Sequence, residues 1–293
     1  MKTLSQTAAE AEKEYRAAQG LNYSFLAKFF ESQDHALLKI KPKSFFEIGH
    51  IFEDMVRDAV KGTTFFKERY FVSSAKGKMP DELMTWIETG HDLEPEIKLK
   101  GDGTWNLTHK ARNSFLTECL DHPGLYPITQ QDADMLCIMR DNMLDAEIPD
   151  LGGRVGDLLP NAEFQVPVYW EKNGIKKKIL IDSVLLWDGA TIVFDIKTAA
   201  NQPTLNQFLN KKYWIQKEHY SEGAEHEYGN VHSFHFLVGF KEDPFLCQPV
   251  EIGGDDLSFK YDELCLRASS WIRDDRPQKG FLPPKKHYVK FWN

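Results

Sequence analysis

Asp182 and Asp195 flank a tight turn at a spacing that sets two carboxylates opposite each other. Both lie in residues 181–198, IDSVLLWDGATIVFDIKT, where Asp188-Gly189 separates two stretches rich in β-branched and apolar residues. Asp-Gly in that setting is a strong hairpin signal, because a type I′ turn needs positive φ at both central positions. A two-residue turn pairs Trp187 with Ala190, Leu186 with Thr191, Val184 with Val193 and Asp182 with Asp195. Opposed residues share a face with Cβ atoms about 5 Å apart. Two carboxylates so close repel by about 3 kcal/mol at an effective dielectric of about 20. A divalent cation between them removes that cost. Lys197, two residues beyond Asp195, points to the same face.

A third acid joins them in this reading. Residues 162–170 alternate as a strand, and Asn173-Gly174 supplies a second two-residue turn. The register pairs Glu163 with Val184, so Glu163 sits diagonal to Asp182, while Phe164, Val166 and Val168 form a buried back. Pro167 requires this strand to be at an edge or bulged, since proline cannot donate to a ladder.

An acid, a spacer and Asp195-Ile196-Lys197 on adjacent strands resemble the PD-(D/E)XK nuclease superfamily, and most nearly its RecB-like, RecE-like and lambda-exonuclease-like phage exonucleases. Asp182 matches the first aspartate and Thr198 completes the DxKT form of the triplet. Gln216 and Tyr220 match the Q-x-x-x-Y helix, and Glu163 matches the strand glutamate. Gly49-His50-Ile51-Phe52-Glu53 matches the preceding helix, with either His50 or Glu53 reaching the site. The resemblance runs over residues 21–271. It implies a restriction-endonuclease-like α/β core, a mixed sheet with an antiparallel meander flanked by helices, and N-terminal helical additions. It also implies metal-dependent hydrolysis of linear duplex DNA from the 5′ strand, without ATP, by a ring-like homo-oligomer working with a single-strand-annealing recombinase.

The chemistry follows from the residue types. Hard oxygen donors suit Mg²⁺, with Mn²⁺ able to substitute. Asp182, Asp195 and the Ile196 carbonyl would hold one ion, and Asp182, Glu163 and Glu53 a second. Lys197 would orient the attacking water or offset charge in the transition state. Thr198, Gln216, Tyr220, Lys211 and Lys212 are the candidate DNA contacts. Two other readings stay open: a structure-specific endonuclease of the same fold, and an inactive DNA-end-binding module serving a recombinase.

Composition narrows the field. The chain has 293 residues, 42% hydrophobic and 13% aromatic, enough for a sizeable core. Its net charge of −8 argues against a surface that coats DNA, so basic charge must act locally. It gathers at Lys176-Lys177-Lys178, Lys211-Lys212 and a basic tail, residues 276–293. No apolar run reaches membrane-spanning length, no signal-peptide stretch is present, and a cytoplasmic location is expected. The four cysteines, Cys119, Cys137, Cys247 and Cys265, are widely spaced, so neither disulfides nor an iron–sulfur cluster is expected. No P-loop motif for ATP occurs.

The elements that must position these residues are legible in outline. A single domain spans residues 1–293, with its core at residues 44–61 and 160–274 and an irregular insertion at 62–125. Helices are expected at residues 5–19, 25–32 (capped by Asn22 or Ser24), 46–60, 81–88, 108–120, 127–146 (capped by Thr129), 203–220 and 258–274. Strands are expected at residues 163–197 (three of them), 232–240 and 246–252. His232 and His235 fall on opposite faces of their strand, so they are not a metal pair.

Overall fold

The computed structural model describes residues 13–37, 44–74, 118–119, 121–201, 207, 211–254 and 256–274. The expected helix at residues 81–88 and the basic tail lie outside them, as does most of the helix expected at 108–120. So does the N-terminal helix before residue 13, of which residues 13–17 are helical.

The helices are α1 (Tyr23–Glu31), α2 (Gln33–Leu37), α3 (Ser44–Lys61), α4 (Phe65–Arg69), α5 (Gln130–Asp145), α6 (Val155–Leu158), α7 (Tyr213–Tyr228) and α8 (Leu257–Arg273). The caps follow side-chain chemistry. Asn22 accepts the Phe25 N–H at 2.9 Å to start α1, and Thr129 accepts the Asp132 N–H at 3.0 Å to start α5. Two pairs of short strands stand apart from the main sheet: β1 (Tyr70–Ser73) with β2 (Tyr126–Thr129), parallel, and β3 (Glu147–Ile148) with β4 (Gly153–Arg154), antiparallel. The expected irregular insertion thus contains α4 and β1, and the expected start of α5 is instead strand β2.

The main sheet has five strands in sequential order, β5 (Glu163–Lys172), β6 (Ile175–Trp187), β7 (Ala190–Ala199), β8 (Val231–Phe240) and β9 (Cys247–Val250). Only β7 and β8 pair in parallel, as a crossover through α7 requires. Both turns have positive φ at both central residues, 54° and 72° at Asn173-Gly174 and 48° and 77° at Asp188-Gly189. These turns fix the register: Lys172 opposes Ile175, Glu163 opposes Val184, and Trp187 opposes Ala190. Strand β5 is at the sheet edge, which accommodates Pro167.

Helices cover both faces of the sheet. On one, Ile51, Phe52, Met55 and Val56 of α3 and Leu136, Met139 and Met143 of α5 pack on Leu185, Ile192, Phe194, Ile196 and Leu237. On the other, α1, α7 and α8 enclose Val168, Trp170, Ile179, Ile181, Val193 and Phe236. Gly223 lets α7 approach β5 and β6, since a Cβ there would lie 2.6 Å from Ile179 and 3.0 Å from Trp170. Among the described residues no helix is long and apolar enough to cross a membrane.

Three expectations need correction. The crossover helix α7 runs Tyr213–Tyr228, past the expected end at 220, with Lys212 at a left-handed φ of 61° just before it; of the earlier part of the expected helix, residue 207 is helical and residues 203–206 and 208–210 lie outside the described ones. The run Phe164, Val166, Val168 is split. Phe164 packs with the α3–α5 core, whereas Val166 and Val168 pack beneath α7. Strict alternation cannot do this; the strand turns over at Gln165, whose φ is 53°. Strand β6 turns over at the same level, with Leu185 on one face and Ile181 on the other. Pairing keeps the same register on both sides of this point, with Phe164 opposite Ser183 and Val166 opposite Ile181. Finally, the ladder between β6 and β7 ends at Ser183 and Phe194, so Asp182 and Asp195 are not a ladder pair.

Candidate active site

The strands part where the chemistry was expected. Beyond Ser183 the Asp182 side chain replaces a ladder partner, its Oδ2 accepting the Ile196 N–H at 3.3 Å. Asp195 stays close enough to Asp182 for the two carboxylates to interact. It is fully buried. Its Oδ1 accepts a hydrogen bond from Gln216 Nε2 of α7, and its Oδ2 meets the Lys197 ammonium. Burial, reinforced by Asp182, pushes the Asp195 pKa up to about 8 against the pull of Lys197. Burial works against the Lys197 ammonium, but Asp195 and Asp182 override it and hold its pKa above the lysine range.

Asp182 faces a cavity of about 760 Å³ between the sheet, α3 and the N-terminal segment. Glu53 of α3 lines it and is the third acid: burial, then Asp182, raises its pKa well above the usual glutamate range. Glu53 accepts a hydrogen bond from Gln165 Nε2, so the turned-over residue of β5 holds the acid of α3. His50, exposed, lines the cavity too, as does Tyr220, whose pKa burial and the two aspartates raise.

The other expected residues are placed differently. Glu163 is exposed, and the Tyr228 hydroxyl donates to it at 3.3 Å; it does not line the cavity with Asp182. Gln216 is 2% exposed, buried against Asp195 rather than in a groove wall. Thr198 Oγ1 approaches Gly49 of α3, 3.7 Å from where a Cβ would stand. Lys212 pairs with Glu31 of α1. Lys211 is exposed, and its carbonyl accepts from the Tyr23 hydroxyl at 3.3 Å.

The cavity also holds arginines that the sequence analysis did not single out. Arg57 is buried and pairs with buried Asp54, its guanidinium 3.8 Å from the Phe65 ring centre. Arg69 donates to Asp54 Oδ2 at 2.9 Å. Arg16, Arg57, Arg69 and Lys178 share the cavity wall with the acids. Arg57 stands one turn after Glu53 on α3, so its face was legible; Arg69 reaches the cavity only through the tertiary fold.

Carboxylate donors, with Asp182 and Glu53 on a cavity that has guanidinium groups on its wall and Asp195 buried beside Asp182, fit a hard divalent ion and an anionic substrate. Comparison with solved structures finds a Eubacterium rectale protein named "Putative exonuclease", 11% identical, TM-score 0.51, over 95% of this chain and 89% of that one. Another structure, SSO0001, aligns at 12% identity and a TM-score of 0.30 over 80% of this chain and 87% of that one. No family model and no curated protein matches. The likeness to the Eubacterium rectale protein is one of fold, that of a mixed α/β chain.

Proposed function

We propose that this chain is a metal-dependent deoxyribonuclease of the PD-(D/E)XK kind, an ATP-independent exonuclease on linear duplex DNA. The observation that carries the reading is a buried Asp195 held by Lys197 and Gln216 beside a second carboxylate, Asp182, where two strands part. A fold spends this much like-charge repulsion for little structural return. Asp182, Asp195 and the Ile196 carbonyl would hold Mg²⁺ or Mn²⁺, with Glu53 in place of Glu163 as the further acid. A bound divalent ion supplies Lewis acidity toward the scissile phosphate and lowers the pKa of its water.

The chain's own residues do the rest. Lys197 keeps its proton at neutral pH and sets positive charge beside Asp195, where charge grows in the transition state. Gln216 fixes the Asp195 carboxylate, and Gln165 fixes Glu53. Arg57 and Arg69 offer guanidinium charge to phosphate oxygens from the cavity wall. The need for a DNA end, the 5′-to-3′ direction, the ring-like assembly and the recombinase partner rest on the motif resemblance.

Incubation of linear and covalently closed circular duplex with Mg²⁺ tests the reading. Nucleotide release from the linear form alone is the expected result. Nicking of the circle at a comparable rate would replace it with the structure-specific endonuclease. DNA-end binding with no hydrolysis of either substrate would replace it with the inactive end-binding module.

A further inference from the structure

We infer that Asp150, His235 and Glu251 form a second metal site, for a divalent transition ion of the Zn²⁺ type, on the sheet face opposite Asp195. The three residues come from separate segments: the turn Pro149–Leu151 between β3 and β4, strand β8, and the segment after β9. Each offers a ligand atom within 4.8 Å of the other two. Ligands around a tetrahedral ion with bonds of about 2.1 Å stand about 3.4 Å apart. His235 Nδ1 lies 3.5 Å from Glu251 Oε1, while Asp150 Oδ2 lies 3.7 Å from the other ring nitrogen, Nε2. One ion takes one of these nitrogens, so the site closes on Nδ1 and needs rotations of the two carboxylates, above all of Asp150 away from Nε2. Both are free to make them, at 48% exposed for Asp150 and 52% for Glu251, while the imidazole, at 1%, is fixed.

The surroundings of His235 are those of a ligand. Its Nε2 lies 2.9 Å from Ser233 Oγ. With Nε2–H donating to that hydroxyl, the Nδ1 lone pair faces Glu251, the outer-shell arrangement that orients metal-binding imidazoles. Phe194 stacks on the ring at 5.7 Å between centres and holds its plane. A lone pair aimed at a carboxylate is repulsive, and a cation between them resolves it. The donor set separates this site from the catalytic one. Imidazole nitrogen suits Zn²⁺-type ions, whereas the acids proposed for the catalytic ion, Asp182, Asp195 and Glu53, offer oxygen and suit Mg²⁺. An ion here would staple the Pro149–Leu151 turn and the exit of β9 to β8, the strand parallel to the one bearing Asp195.

The test is Zn²⁺ titration of the full chain in excess Mg²⁺, followed by calorimetry and by thermal unfolding. One Zn²⁺ per chain should bind and raise Tm. D182N/D195N should keep that ion, and D150N/E251Q, which alters only exposed carboxylates, should bind it at least tenfold more weakly. Because the readouts are binding and Tm, failure here leaves the nuclease reading standing, and the reverse. Absence of Zn²⁺ binding in the wild-type chain would overturn the site. So would binding that survives D150N/E251Q and vanishes in D182N/D195N, which would assign the ion to the catalytic acids.

Discussion

Two carboxylates on the α7 side of the sheet, Glu222 of α7 itself and Asp195 of β7, are treated in opposite ways. Glu222 receives Lys172 at 2.7 Å, the buried Lys177, and the Trp170 indole N–H at 2.7 Å. Burial works to raise its pKa, but these donors override it and leave the pKa below the usual value. Two ammonium groups there face two carboxylates, Glu222 and Asp262. Asp195 shares one ammonium, Lys197, with Asp182, and burial leaves its pKa near 8. The first network is complete as built. The second has spare negative charge, which a structural role does not need and a cation site does.

The sharpest way to break this contrast is to neutralise each acid in turn. Asp195→Asn should cut turnover on the order of 10³-fold, the scale seen when one preorganised transition-state contact is removed. It should leave Tm unchanged or raised, because it removes the repulsion between Asp195 and Asp182 while Lys197 keeps Asp182 as a partner. Glu222→Gln should do the reverse. It leaves buried Lys177 without its carboxylate, at a cost of about 3 kcal/mol, and turnover per folded molecule should not change. Initial rates and thermal unfolding on the two purified variants decide it. Equal stability losses, or activity in Asp195→Asn, would erase the distinction.

The pH dependence of stability should carry the same contrast. Asp195 has a folded pKa near 8, against about 3.9 for an unperturbed aspartate. Between those values the folded state holds a proton that the unfolded state has released, so its contribution declines as pH rises through that window. Glu222 has a lowered pKa, so its contribution is present above the ordinary glutamate value and lost as pH falls through the folded one. Metal-free protein should therefore lose Tm from about pH 5 to 8. Asp195→Asn should flatten that slope, and Glu222→Gln should flatten only the acid side. A slope that persists unchanged in Asp195→Asn would remove Asp195 as its source.

The two turns make the difference between what was legible and what was not. Asn173-Gly174 and Asp188-Gly189 demand positive φ, and that alone sets the register of three strands. What escaped was the turn-over at Gln165 and Asp182. Glutamine at a φ of 53° is not signalled by its residue type, and Pro167 hinted only at an irregular edge. That inversion is why Glu53 from α3, rather than Glu163 from β5, lines the cavity with Asp182. Strands β1 and β2 escaped because they are four residues each and pair across a long stretch of chain, which no local pattern records. The left-handed φ of Lys212, just before α7, likewise has no residue-type signal.

The smallest expected effect concerns Gln216, which tests whether the Asp195 side of the contrast is positioned or merely buried. Its Nε2 donates to Asp195 Oδ1, leaving Oδ2 for Lys197. Outer-shell partners of metal ligands typically change affinity or activity by about 10- to 100-fold when removed. Gln216→Leu keeps the size and burial of the side chain and removes the donor. It should weaken Mg²⁺ affinity by about tenfold, with turnover at saturating Mg²⁺ within about twofold of the wild type, because the carboxylate is reoriented by the ion once bound. Tm should fall modestly, since the buried Asp195 Oδ1 loses its donor. Calorimetric Mg²⁺ titration beside steady-state kinetics separates the outcomes. A loss of Tm with unchanged Mg²⁺ affinity would make Gln216 a packing residue, and Asp195 would then keep its geometry through Lys197 and the strand alone.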